Sequence, residues 1–339
     1  MTVLYLATND GVAVARRHNG AWPVQRGLAG YTTQCLAADP ERPERVYCGS
    51  FDRGLWVSDD AGTSWHAAGP GIAFQAVMAV AVGALEHANG GGVVWAGTEP
   101  SSLFRSEDGG RSWQDCPALR ALPSAPTWSF PPRPWTSHVR WIAPDAHDAA
   151  RLFVGIELGG VMRSLDSGRT WEDRKPEGQH DAHTLRTHPR APGRVYEAAG
   201  GGYAESHDGG ASWRRDDSGL RHHYAWGLAV DPGDPETIVV SSAAGPRQAH
   251  DSGTAESYLY RRSAGEAWQE MSAGLPEPRG RRTMVLASNA AEPHAFYAAT
   301  REGQVYRSPD AGRTWDPVPL SWPEGYRAGN VEALVVAEA

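Results

Sequence analysis

One motif limits what this chain can fold into more than any other feature. Ser-x-Asp-x-Gly-x-Ser/Thr-Trp occurs five times: SDDAGTSW (Ser58 to Trp65), SEDGGRSW (Ser106 to Trp113), SLDSGRTW (Ser164 to Trp171), SHDGGASW (Ser206 to Trp213) and SPDAGRTW (Ser308 to Trp315). Two shorter copies, RRHNGAW ending at Trp22 and RRSAGEAW ending at Trp268, keep the Gly and the Trp. Half of the 14 tryptophans therefore occupy one repeat position. Self-similarity at ~40 to 50 residues is the mark of a propeller or array. The residue types suit a short hairpin turn: Gly supplies positive φ, the Asp carboxylate accepts free backbone N–H groups, and the Trp covers the neighbouring sheet.

Two strand-like runs precede each motif and align across the repeats. The first includes TQCLAADP at Thr33, VRWIAPDA at Val139, AHTLRTHP at Ala182, AWGLAVDP at Ala225 and TMVLASNA at Thr283; the second includes VYCGS, VWAGT, LFVGI, VYEAA and FYAAT. With one strand entering and one leaving the turn, each unit is a four-stranded antiparallel blade. Seven units predict an all-β, seven-bladed β-propeller in which residues 1–339 form a single domain. The first unit starts at Thr2 in its second strand, and the run NVEALVVAE from Asn330 supplies the missing inner strand over about 330–337. Pairing the N- and C-terminal strands closes the ring and leaves no open sheet edge. The 39 Gly and 25 Pro agree with many short strands and tight turns.

The motif resembles the Asp-box of the BNR repeat family, found in sialidases, sortilin-type receptors and photosystem-assembly propellers, and the resemblance covers essentially the whole chain. It implies the propeller fold. It does not imply sialidase activity, because sialidases of this kind carry an Arg-Ile-Pro-like segment near the N-terminus, three substrate-gripping arginines and a Tyr/Glu nucleophilic pair, usually on six blades. This chain has no Arg-Ile-Pro and seven units. The box aspartates are read as turn residues, not as catalytic groups or calcium ligands.

A net charge of −8 and no basic stripe argue against a nucleic-acid partner. No run approaches the ~20 apolar residues of a membrane span, and MTVLYLATNDG reads as a strand entering a turn, not as a signal peptide. These features predict a cytoplasmic protein with no membrane partner. Cys35, Cys48 and Cys116 show no metal-ligand spacing. Cys35 and Cys48 flank the turn around Pro40 to Pro43, so they could face each other on one hairpin; in a reducing compartment they stay free thiols.

A propeller gathers the loops that start its inner strands, together with those between second and third strands, on one face, where ligand sites form. The inner-strand starts carry Ser137-His138-Val139-Arg140, His180-Asp181-Ala182-His183, His222-His223-Tyr224-Ala225-Trp226, Arg281-Arg282 and Glu332; the other loops add Asp52, Glu99, Glu157, Arg301 and Glu302. Two long loops, Leu119 to Ser137 and Gly245 to Tyr258, open on the same face. The expectation is a partly enclosed polar pocket over the channel. His138, His183 and His223 would bind a divalent metal ion, or act with Glu99 and Glu157 in general acid/base catalysis. Arg140, His180, His222, Tyr224, Trp226, Arg282, Arg301 and Glu332 would bind the ligand. No organic cofactor is indicated.

The leading expectation is thus an intracellular enzyme acting on a small polar molecule by metal-assisted or general acid/base hydrolysis or elimination. One alternative is a non-catalytic binding or assembly scaffold with a protein partner. Another is a glycan-active hydrolase using Glu99 and Glu157, which requires a carboxylate separation of ~5 to 9.5 Å. His66, His87, His147, His188, His207 and His294 are read as surface residues.

Overall fold

Six of the seven repeats fold into antiparallel sheets whose strands follow one another in chain order; the first is completed by the C-terminal strand and carries the short strand Leu320–Ser321 in parallel against Trp22–Gly27 at its outer edge. The computed structural model describes residues 1–339 apart from 89, 90 and 327. The second blade shows the pattern: Thr33–Ala38 innermost, then Val46–Ser50, Leu55–Ser58 and the short outer strand His66–Ala67. The seven sheets form the ring, as the repeat count predicts. Blade four is the thinnest. It pairs three strands, and its fourth is reduced to the single bridge Arg163–Glu172.

The ring closes where the sequence placed the closure. Ala333–Glu338 pairs antiparallel with Thr2–Thr8, in register from Thr2 opposite Glu338 to Ala7 opposite Ala333. Thr2–Thr8 is buried along its whole length, because it has a strand on either side within the sheet and another blade against each face.

The boxes act as turn locks. In blade three, Asp108 Oδ1 accepts the backbone N–H groups of Arg111 and Ser112 at 3.0 and 2.9 Å, while Oδ2 accepts the Ser112 hydroxyl at 2.6 Å. Ser106 Oγ accepts the Gly110 N–H at 2.8 Å, and Gly110 sits at φ 90°, a region that disfavours a side chain. Trp113 then reaches the previous blade, donating its indole N–H to the Ala68 carbonyl at 2.7 Å. Asp60, Asp166, Asp208 and Asp310 repeat the carboxylate bonds in the other four boxes.

The core lies between blades. Trp95 of blade three packs with Val154 and Met162 of blade four, and Tyr196 of blade five with Leu228 and Val240 of blade six. The cysteines are free and buried. Cys48 pairs with Leu36 while Cys35 pairs with Gly49. This one-residue offset turns the two thiols to opposite faces of their sheet, one into each neighbouring core layer.

The inner strands share a defect that matters for the site. In blades two to six the register slips by one residue near the strand start, between Thr33 and Cys35, Val77 and Ala79, Val139 and Trp141, Ala182 and Thr184, and Ala225 and Gly227. The skipped residues are Gln34, Met78, Arg140, His183 and Trp226. A bulge frees its extra residue from the ladder and re-aims the side chain.

Candidate functional site

The bulges of blades four, five and six bring Arg140, His183 and Trp226 together at one mouth of the channel. Trp226 is the hub. The Arg140 and Arg301 guanidinium carbons lie 4.5 and 5.4 Å from its ring centre, and the His183 and His250 rings lie 4.6 and 4.4 Å away. Guanidinium groups against a desolvated indole face gain cation–π attraction. His250 comes from the short helix Pro246–His250 of the second long loop and meets the Tyr224 hydroxyl through Nε2 at 3.2 Å. Burial, with the charges of Arg301 and His183, pushes its pKa down to about 3, so it is a neutral ring in the folded protein.

The acidic side of the cluster is built around His138. Its Nε2 lies 3.0 Å from Glu157 Oε2, and its Nδ1 lies 3.6 Å from Glu99 Oε2. The first long loop returns over this point through two 3₁₀ turns, Pro117–Ala121 and Ala125–Thr127. From it Arg133 donates to both oxygens of Glu99, at 2.6 and 2.7 Å. Burial works against ionised Glu157, but the His138 hydrogen bond and the charges of His138, His183 and Arg140 outweigh it and hold the carboxyl down to about 2. Trp135, on the same loop, is 80% exposed.

His183 completes the cluster. Its Nδ1 donates to the Ala225 carbonyl at 2.7 Å, which turns Nε2 toward Asp181 Oδ2 at 3.4 Å. Asp181 also accepts the Leu158 N–H at 3.3 Å. Among the described residues, one group of three His, Cys, Asp or Glu side chains has ligand atoms all within 4.8 Å of one another: Glu157, Asp181 and His183.

The expected metal trio is therefore not the one the fold assembles. His223 precedes the inner strand of blade six and stays on the surface, its side chain 54% exposed and 3.7 Å from Asp217. His138 faces two glutamates instead. Of the expected ligand-binding residues, Arg140, Tyr224, Trp226 and Arg301 join the cluster. Arg301 also holds Glu332 at 2.6 Å and the Val331 carbonyl at 2.7 Å. His180 is exposed, His222 stacks on Tyr258 with ring centres 4.1 Å apart, and Arg282 pairs with exposed Glu302. His188, read as a surface residue, is buried, because its Nε2 contacts the Asp231 carbonyl of the next blade at 2.8 Å.

Below the cluster runs the central channel, about 320 Å³, lined by the inner strands with Arg140, Arg186 and Glu332 as its charged residues. Most of its remaining lining is alanine, valine, leucine and other apolar groups. The polar residues expected to line a partly enclosed pocket are packed against one another: His138, His183, Glu99, Glu157 and Arg301 are all buried. Arg133, Asp181 and His250 enter the site from stretches that the sequence places on the loop face, and each finds a partner distant along the chain, Glu99, the Leu158 N–H and the Tyr224 hydroxyl respectively, which no local pattern announces.

Topology and cluster together define a seven-bladed β-propeller with a charged, aromatic-centred mouth on its loop face. No protein-family model matches the sequence. A probable oligoxyloglucan-reducing end-specific xyloglucanase of Neosartorya fischeri is 23% identical over 288 residues, 79% of this chain and 30% of that protein. The oligoxyloglucan-reducing end-specific xyloglucanase of Emericella nidulans is 24% identical over 156 residues, 41% of this chain and 17% of that protein. The chain thus spans less than a third of the length of either relative. Among solved structures, the Niastella koreensis GH74 enzyme superposes with a TM-score of 0.68 at 15% identity, over 93% of this chain and 52% of that one. YCF48 bound to D1 peptide gives 0.60 at 16% identity, over 91% and 93%. These likenesses are to the fold.

The curated relatives correct the leading expectation. They are enzymes named for oligoxyloglucan, a glycan, and not for a small polar molecule. The geometry agrees, since the histidines expected to line a small-molecule pocket are either packed into the protein or exposed on its rim.

Proposed function

We propose that this propeller is a glycan-active hydrolase that takes an oligosaccharide across its loop face. The observation that carries the reading is the match to the Neosartorya fischeri xyloglucanase, which runs through 79% of the chain. The loop face supports it in two ways. Trp135 offers an uncovered indole on which the C–H face of a sugar ring can stack, and it lies on the same loop as Arg133, whose guanidinium is 5.1 Å from the Phe51 ring. Glu99 and Glu157 approach opposite nitrogens of the His138 ring, so one imidazole stands between the two carboxylates.

Glycoside hydrolysis needs one carboxyl to protonate the leaving oxygen and a second to orient water or attack the sugar. Inverting enzymes hold the two carboxyls ~6.5 to 9.5 Å apart with room for water and retaining ones ~5 Å apart; here the His138 imidazole fills the space between Glu99 and Glu157, so a sugar can reach the pair only where that ring gives way. Glu157, held by His138, suits the role of orienting water. Glu99, on the other side of the imidazole and reached by Arg133 from the loop, is the candidate for the acid.

The test is release of reducing ends from xyloglucan and cello-oligosaccharides by the purified chain, with Glu99→Gln and Glu157→Gln as separate variants. The expected loss in kcat is ~10²- to 10⁴-fold for each, the usual contribution of a general acid or base. A folded protein that neither cleaves nor binds any of these glycans would sink the reading.

A further inference from the structure

The group formed by Glu157, Asp181 and His183 has the makings of a cation site, and it is not the trio expected from the sequence. We propose that these three side chains bind one divalent first-row metal ion, Zn²⁺ or Mn²⁺, at the mouth of the channel. The inference goes beyond glycan hydrolysis and does not depend on it.

Four observations converge. The first is spacing: His183 Nε2 and Asp181 Oδ2 are 3.4 Å apart, the separation of ~3.4 Å that two ligands take around a tetrahedral ion with bonds of ~2.0 to 2.1 Å. Glu157 completes the group within 4.8 Å. The second is an orphaned donor atom. His183 is fully buried, and its Nε2 has no hydrogen-bond partner, a costly state for a ring nitrogen unless something else engages it. The third is orientation. The bond from Nδ1–H to the Ala225 carbonyl turns Nε2 toward the two carboxylates, so that the neutral ring would present its lone pair to an ion held there, as an outer partner arranges for a metal-bound histidine. The fourth is the seat of Asp181, whose Oδ2 would lie 2.0 Å from a Cβ at position 200, so that glycine there is what lets the carboxylate take this place beside His183.

The charges permit a dication. Glu157 and Asp181 bring two negative charges, and Arg140 places one positive charge 3.8 Å from Glu157. The other two acids of the cluster are already matched, Glu99 by Arg133 and Glu332 by Arg301. One imidazole with two carboxylates is a borderline donor set, which favours a first-row transition ion over Ca²⁺ or Mg²⁺.

The experiment is metal binding by the full chain after chelator treatment, titrated with Zn²⁺ and separately with Mn²⁺ by calorimetry. Bound metal is then counted by mass spectrometry after gel filtration. Asp181→Asn keeps an acceptor for the Leu158 N–H and should fold; His183→Ala is the stronger lesion; His66→Ala removes an exposed histidine remote from the site. The expected result is one equivalent per chain, with affinity reduced ~100-fold or more in Asp181→Asn and His183→Ala, beyond the ~10- to 100-fold that loss of an outer-shell partner costs. His66→Ala should bind as the parent does. Co²⁺ in place of Zn²⁺ should give visible d–d bands that Asp181→Asn abolishes while its melting curve stays cooperative. No uptake of either ion by the parent, or uptake that survives Asp181→Asn and His183→Ala, would overturn the proposal. Because this readout needs no sugar, it stands or falls apart from the glycan assay.

Discussion

His183 and Trp226 occupy the same bulge position on neighbouring inner strands, and their ring centres lie 4.6 Å apart. The equivalent residue on the strand before them is Arg140, whose guanidinium lies over the same indole. One backbone irregularity, repeated around the ring, thus sets an arginine, an imidazole and an indole against each other. Replacing Trp226 by Ala should remove the surface on which two guanidinium groups and two imidazoles rest. The expected cost is ~3 to 5 kcal/mol, the range for deleting a large buried aromatic, and Trp226→Phe should recover part of it. Urea denaturation of both variants measures this, and equal midpoints for Trp226→Ala and the parent would contradict the hub.

Arg133 reaches Glu99 from the first long loop and is the loop's charged anchor to blade three. Arg133→Gln should leave Glu99 buried with only the 3.6 Å approach of His138. A stability loss of ~1 to 2 kcal/mol is expected, less than for a fully buried pair because Arg133 is one-third exposed. The more specific sign is local: limited proteolysis should cut within 117–137 faster in the variant, while cleavage elsewhere is unchanged.

Closure by Ala333–Glu338 makes a third expectation. Deleting residues 333–339 uncovers the buried strand Thr2–Thr8 and removes the buried side chains of Leu334, Val336 and Ala337 from the cores on either side. A domain holds only ~5 to 15 kcal/mol in total, and an uncovered apolar edge recruits other chains. The shortened protein should therefore aggregate or melt far below the parent, and a peptide of residues 330–339 added in trans should raise its melting temperature. A truncated protein that melts like the parent would show that closure contributes little.

Much of this was legible beforehand, and what was not has a physical reason. The boxes announced their turns because Ser, Asp, Gly and Trp are each required by a bond within a few residues, as around Asp108. The closing strand showed itself by subtraction, since the first repeat lacked an inner run. Even the bulge had left a trace: Arg140, His183 and Trp226 are each the second residue of their aligned runs. Whether such a residue then meets a charge, a ring or solvent depends on blades some 40 residues away. His183 finds the Ala225 carbonyl and Glu99 finds Arg133 across such gaps. His223 shares a strand-start position with the converging histidines, but position alone does not set direction: it lies three residues before the bulge, on the surface.

The box aspartates should give the fold an acid limit. The Ser112 hydroxyl and backbone N–H hold the Asp108 carboxyl down to about 2, and Asp60 and Asp208 are held down to about 2 in the same kind of turn. A carboxyl whose folded pKa lies below its unfolded value of ~3.9 adds stability above that value and loses it as pH falls toward the folded one. Stability should therefore drop between about pH 4 and pH 2. Asp108→Asn should be less stable than the parent at pH 7, by ~1 kcal/mol or less because the turn is solvent-screened, and should show a shallower acid decline. Acid titrations of both proteins followed by circular dichroism test this; parallel curves would count against it.

Glu197 predicts the opposite slope at higher pH. It lies in the second strand of blade five, fully buried, with Oε2 accepting the Gln179 N–H at a long 3.4 Å and Oε1 without a partner. Burial pushes its pKa up to about 8. In the unfolded chain the group ionises near ~4.3, so between that pH and about 8 the folded state carries a proton that the unfolded state has lost. Stability then falls as pH rises, by up to ~1.4 kcal/mol per unit, and levels off above about 8, where both states are ionised. Glu197→Gln keeps the acceptor for Gln179 and removes the titration. Its urea midpoint should approach or exceed that of the parent as pH goes from 5 to 8.5, and the difference between the two proteins isolates this one group from all others that titrate. A difference that stays constant over the range would mean that Glu197 is ionised in the fold, with a counter-charge or water holding it there.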